Sequence, residues 1–131
     1  MTLYMKVENH FENGTINTIS DILNAQDIDF SKHPKFKGVA LKHLVTGNLT
    51  NNQISCHLVK VEPFCILDTH VHENNLEIHE IIAGDGTCYI GKNKINYSIG
   101  TIGVIPANIP HRVEAGANGI YILAKFTPAL L

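Results

Sequence analysis

The chain has 131 residues, 44% hydrophobic and 17% charged, with ten basic and twelve acidic side chains. That length and apolar content suit one self-sufficient core, expected to be a single domain over 1–131, and exclude disorder. No apolar run approaches the roughly 18 residues of a membrane helix, and a net charge of −2 without a lysine/arginine cluster argues against nucleic acid as a partner.

Residues 1–35 are weakly patterned and read as an N-terminal arm with one or two short elements. The one helical signal there is 20–25, with Ser20 as a possible N-cap. The first residues lack a basic start followed by a long apolar stretch. Cys56, Cys65 and Cys88 are odd in number and form no CxxC pair. Together these predict a cytoplasmic protein with free thiols, Cys56 and Cys88 acting as small core residues.

From residue 39 the pattern is β. Residues 39–46 end at a Gly-Asn turn, and 54–61 alternate and stop before Pro63. Residues 78–83 stop at Gly84-Asp85-Gly86, where a tight hairpin is expected. Residues 87–90 and 95–98 flank a second turn at 91–94. Residues 101–105 end at Pro106, 111–114 end at Ala115-Gly116, and 120–126 close the series. Short strands broken by Gly, Pro and Asn every 8–12 residues predict an all-β sandwich or barrel. The apolar stretch 126–131 is expected to pack on the barrel or on a second subunit.

Chemistry concentrates in one place. His70, His72 and His79 fall within ten residues. In an extended strand His70 and His72 share a face about 6–7 Å apart, and two converging imidazoles suit a transition metal. Glu77 opens the next apolar run and offers an anionic oxygen. Period-two alternation puts His79 on the face of Glu77, about 6–7 Å further along. That distance suits contact with a bound substrate, so His79 is the candidate acid–base residue.

The surroundings of these residues carry a resemblance. His70-x-His72 is followed by four residues, Glu77, six residues and Gly84. After a fifteen-residue gap, Gly100 is followed by five residues, then Pro106, Asn108, Pro110 and His111. This resembles the two motifs of the cupin superfamily, G-x5-H-x-H-x3-4-E-x6-G and G-x5-P-x-G-x2-H-x3-N, with the short spacing of small prokaryotic cupins. The match covers about residues 54–126. Three positions depart from it: Phe64 and Asn108 stand where the motifs have glycine, and Ala115 replaces the final Asn. Asn tolerates positive φ best after Gly, so the turn at Asn108 is expected to survive.

The resemblance implies a small double-stranded β-helix, or jelly-roll, barrel. It also implies one divalent metal held by His70, His72, Glu77 and His111, with Pro106 and Pro110 stiffening the loop that delivers His111. Fe, Mn, Ni, Co and Zn all accept three imidazoles and a carboxylate, so the ligand set does not choose the ion. The expected function is metal-dependent catalysis on a small oxygenated metabolite that chelates the ion; the fold leaves dioxygenase, isomerase, decarboxylase and lyase open. The alternative is a small-molecule binding or sensing module without turnover. A homodimer is also implied, with the arm and 126–131 as interface elements.

Overall fold

The computed structural model describes residues 6–131. A short helix α1 (Val7–Asn13) leads into a hairpin of β1 (Thr15–Asn17) and β2 (Ile22–Asn24), then a 3-10 turn, Ala25–Asp27. The helix expected at 20–25 does not form. The Thr18 hydroxyl accepts the Asp21 N–H at 2.9 Å, and the Thr18 N–H bonds the Asp21 carbonyl at 2.9 Å. These local bonds close a hairpin turn and compete with a helix. The helix that does form starts at Lys6 without a side-chain cap, so no start signal marks it.

The remaining strands are β3 (Ser31–Lys32), β4 (Val39–Val45), β5 (Ser55–Val61), β6 (Ile66–His70), β7 (Leu76–Ile90), β8 (Asn93–Ser98), β9 (Ile102–Ile105) and β10 (His111–Thr127). They pair antiparallel in the order β3-β4-β5-β10-β7-β8, with β6 on β10 and β9 on β7. The first half of β10 faces β6, its second half faces β5, and β7 runs along its other edge. One long strand therefore ties both halves of the barrel together.

Two strand breaks expected from sequence are instead bends within continuous strands. β7 runs through Gly84 and Gly86, and β10 runs through Ala115-Gly116, so the expected hairpin at 84–86 is absent. Gly84 has φ 76°, and a Cβ there would lie 2.0 Å from the Gly119 carbonyl oxygen. The glycines thus let β7 and β10 cross closely at a register shift between Ala115 and Ile120. The turn predicted at 91–94 does form, joining β7 to β8.

Alternation along the strands builds two cores. Val59, Val61, Leu67, Ile81, Val113, Ile122 and Phe126 fill the barrel. Leu58, Leu44 and Leu123 point outward and are covered by the arm through Ala25 and Ile16. Lys42, 5% exposed, donates to the carbonyls of Glu12 and Ala25 at 3.1 and 2.9 Å, pinning the arm to the sheet. Of the two places expected for 126–131, the barrel itself takes this stretch. The Leu130 N–H bonds the Ser55 hydroxyl at 2.8 Å and the Ala129 N–H bonds the Asn52 carbonyl at 3.1 Å.

Candidate metal centre

Three strands and one loop bring the four predicted ligands together. His70 ends β6, His72 follows it, Glu77 lies near the start of β7, and His111 opens β10 directly opposite His70. The loop before His111 is fastened where it must be accurate. The Asn108 N–H bonds the His72 carbonyl at 2.8 Å, and the Gly91 N–H bonds the Pro110 carbonyl at 2.8 Å. Asn108 has φ 66°, so the motif's glycine turn survives with Asn in it. Phe64 also takes the glycine conformation, φ 61°, with its ring 76% exposed.

One potential ligand atom from each of His70, His72, Glu77 and His111 lies within 4.8 Å of the others. The hydrogen bonds around them fix which atoms point inward. His70 Nδ1 bonds the Asp68 carbonyl at 2.7 Å and His111 Nδ1 bonds the Ile109 carbonyl at 3.0 Å. A carbonyl only accepts, so both Nδ1 atoms carry hydrogen and both rings turn Nε2 toward the centre, bare wherever the ring is neutral. Glu77, 4% exposed, sets Oε1 3.0 Å from His111 Nε2 and 3.6 Å from His72 Nε2.

Glu77 Oε1 and His111 Nε2 are buried and have no hydrogen-bond partner. Lone pairs converging in an apolar interior are costly unless a cation or proton lies between them. The donor set, three imidazole nitrogens and one carboxylate oxygen, fits a divalent transition ion.

The electrostatics agree. Burial pushes the Glu77 carboxyl up, but the imidazoles of His79 and His111 outweigh it and hold the acid well below its usual range. Burial brings His70 down to about 4 and lowers His72, keeping both neutral and able to ligate. His111 differs: burial lowers it, but the Glu77 carboxylate 3.0 Å away and the Ile109 carbonyl raise it overall, so without a cation a proton is favoured between His111 and Glu77.

The structure gives His79 other neighbours than alternation implied. Its Nε2 lies 2.9 Å from Glu77 Oε2 and its Nδ1 lies 2.9 Å from the Tyr97 hydroxyl. The ring is 1% exposed and, like that of His111, lies outside the lining of the cavity beside His70, His72 and Glu77. That cavity, about 90 Å³, is walled by Val39, Leu41, Val59, Leu67, Phe126 and Leu130, with His33 as its one polar side chain besides the ligands. His33, Leu130 and Tyr97 carried no motif. Tyr97 was reachable in principle, since a tight turn after Ile90 fixes the β7–β8 register and sets Tyr97 opposite Gly86.

A second histidine group lies elsewhere. His57 on β5, fully buried, faces His43 on β4 with Nδ1–Nδ1 at 2.8 Å, and its Nε2 lies 2.8 Å from the Ser55 hydroxyl. Burial and then His43 bring His57 down to about 4. The three cysteines are free, Cys88 fully buried and Cys56 and Cys65 partly so. Cys65 packs against the inner core.

No family model and no curated protein matches the chain, but solved structures do. A predicted oxalate decarboxylase from Thermotoga maritima superposes with a TM-score of 0.72 at 20% identity, over 79% of this chain and 95% of that one. KdgF from Halomonas sp. gives 0.69 at 19%, over 79% and 90%. A cupin-2 domain protein from Rhodospirillum rubrum gives 0.71 at 15%, over 86% and 77%. The chain has the cupin fold. Within this cupin barrel the His/Glu cluster lies at the positions that the two sequence motifs marked. Among the described residues, no helix is long and apolar enough to cross a membrane.

Proposed function

We propose that the protein is a metal-dependent cupin enzyme acting on a small oxygenated metabolite, with His70, His72, Glu77 and His111 holding one divalent transition ion. The observation that carries this reading is the pair of buried, unpartnered atoms, Glu77 Oε1 and His111 Nε2, aimed at one another beside two further imidazoles. Such an ion supplies Lewis acidity toward a chelating substrate, and oxygen chemistry if it is iron.

The chain's residues do the rest. Three neutral imidazoles and the single Glu77 carboxylate would leave a divalent ion with one net positive charge, so an anionic head such as a carboxylate or enolate is attracted to it. The apolar walls exclude water and admit a compact body. No lysine or arginine lines the cavity, so charge recognition rests on the ion. In this reading His79 orients Glu77; the acid–base role expected from alternation would require its ring to leave both present partners. That engagement of His79 favours the second reading, a binding or sensing module that holds its ligand without turnover. A homodimer belongs to the proposal too, supported by the exposed Ile99, Ile102 and Val104 at and before β9. A cytoplasmic location is supported by the free thiols.

The test starts with metal analysis of protein purified without added metal, followed by Co(II) loading and titration with pyruvate and 4-methyl-2-oxopentanoate. A changed Co(II) absorption spectrum supports chelation in the cavity, and oxygen uptake or product formation with Fe(II) separates enzyme from binding module. Protein that takes up no divalent ion under any loading condition would overturn both readings.

A further inference from the structure

Behind Glu77 lies a chain of buried polar groups that runs away from the cavity. Glu77 is anionic and only accepts, so His79 Nε2 must carry the hydrogen of the 2.9 Å contact. The other ring nitrogen, Nδ1, lies 2.9 Å from the Tyr97 hydroxyl. His79 and Tyr97 are each at most 1% exposed. The space is also shaped for this chain. Gly103 on β9 pairs directly with His79, and a Cβ there would lie 2.0 Å from the Tyr97 hydroxyl oxygen.

We infer that Tyr97, held over Gly103 and acting through His79, is a positioning residue that occupies Glu77 Oε2 and leaves Oε1 as the single oxygen offered to the metal. This inference rests on the metal reading above. A free carboxylate in a cavity can rotate, or offer both oxygens to an ion. With Oε2 tied to His79 and His79 tied to Tyr97, one oxygen is fixed toward the imidazoles at no cost when the ion arrives. Tyr97 touches neither ion nor substrate, so its influence on the site passes through these two bonds.

The experiment is Co(II) titration of metal-free protein, read by calorimetry and by the visible d–d spectrum, with thermal melting alongside. Tyr97→Phe keeps the ring and deletes the hydroxyl. It should weaken Co(II) binding about 10- to 100-fold, the usual size for an outer ligand partner, and change the d–d band. Gly103→Ala deletes no member of the chain but displaces the Tyr97 hydroxyl, and should weaken binding in the same direction. If both act through one bond, Gly103→Ala adds less in the Tyr97→Phe background than in wild type. Wild-type affinity and spectrum in Tyr97→Phe would overturn the inference while leaving the metal reading standing. Failure of wild type to bind Co(II) would overturn both. A lower melting temperature with unchanged affinity and spectrum would make Tyr97 a packing residue only, which also contradicts it.

Discussion

The barrel holds two groups of histidines, and they are built in opposite ways. At His43, His57 and Ser55 the hydrogen bonds close on themselves. The Leu130 N–H bonds the Ser55 hydroxyl, Ser55 meets His57 Nε2, and His57 Nδ1 meets His43 Nδ1. At the other group the Nδ1 atoms of His70 and His111 are tied to carbonyls, while Glu77 Oε1 and His111 Nε2 point inward without a hydrogen-bond partner. Both groups contain imidazole nitrogens at close range, so clustering alone does not make a metal site. What separates them is where the hydrogens are. One group is satisfied and tethers 126–131, and the other turns its inner atoms toward a point that a cation could occupy.

That contrast is broken most forcefully by alanine at the two groups. His111→Ala and His70→Ala should each reduce bound metal from about one ion per chain to near zero while the far-ultraviolet spectrum stays that of a barrel. Ala at His43 should leave metal content unchanged. Metal analysis by plasma emission decides it, and equal losses in both groups would erase the distinction.

The next effect is on stability against pH. His57 sits at about 4 in the fold and near 6.5 unfolded. Between those values the unfolded chain binds the extra proton, so stability falls as pH drops from about 6.5 to 4. The full contribution is roughly 3 kcal/mol on these values. Urea unfolding of metal-free protein at pH 7 and pH 4.5 should show the loss, and His57→Gln should lessen the slope, the remainder coming from His70 and His72, which burial also lowers. An unchanged slope would mean that His57 is hydrated or already charged in the fold.

Ser55→Ala removes an acceptor from the Leu130 N–H and a partner from His57. Leaving such groups unpaired costs about 1–3 kcal/mol, a fall in Tm of roughly 4–12 °C at this chain length. Metal affinity should change far less than in Tyr97→Phe. The smallest effect belongs to neither group. Phe64→Gly relieves a left-handed conformation that costs about 1–2 kcal/mol in non-glycine residues. Glycine's own unfolded-state entropy offsets about half of it, so the midpoint of urea unfolding should rise slightly.

The motif end of the molecule was legible because its residues are bound to fixed spacings. The clustering of His70, His72, Glu77 and His111, the turn at Asn108 and the hairpin at 91–94 follow from spacings that tolerate few alternatives. The arm was not legible, since α1 has no capping side chain and Thr18 diverts 20–25 into a hairpin. The bends in β7 and β10 read as strand ends because Gly84-Asp85-Gly86 and Ala115-Gly116 signal turns locally. Only the crossing of the two strands at Gly84 and Gly119 shows why small residues are needed there. The partners of His79 were missed for a related reason. Alternation gives a side chain's face, but the Tyr97 hydroxyl reaches it from another strand, over Gly103.

The most direct measurement is anomalous X-ray diffraction from crystals of Co(II)-loaded protein at the cobalt edge. One strong peak should appear about 2.0–2.2 Å from His70 Nε2, His72 Nε2, Glu77 Oε1 and His111 Nε2, at distances ordinary for such ligands, with no peak between His43 and His57. A peak between His43 and His57, or two oxygens of Glu77 bound equally, or no peak at the quartet in loaded crystals, would contradict the reading that unpartnered inward atoms make the site.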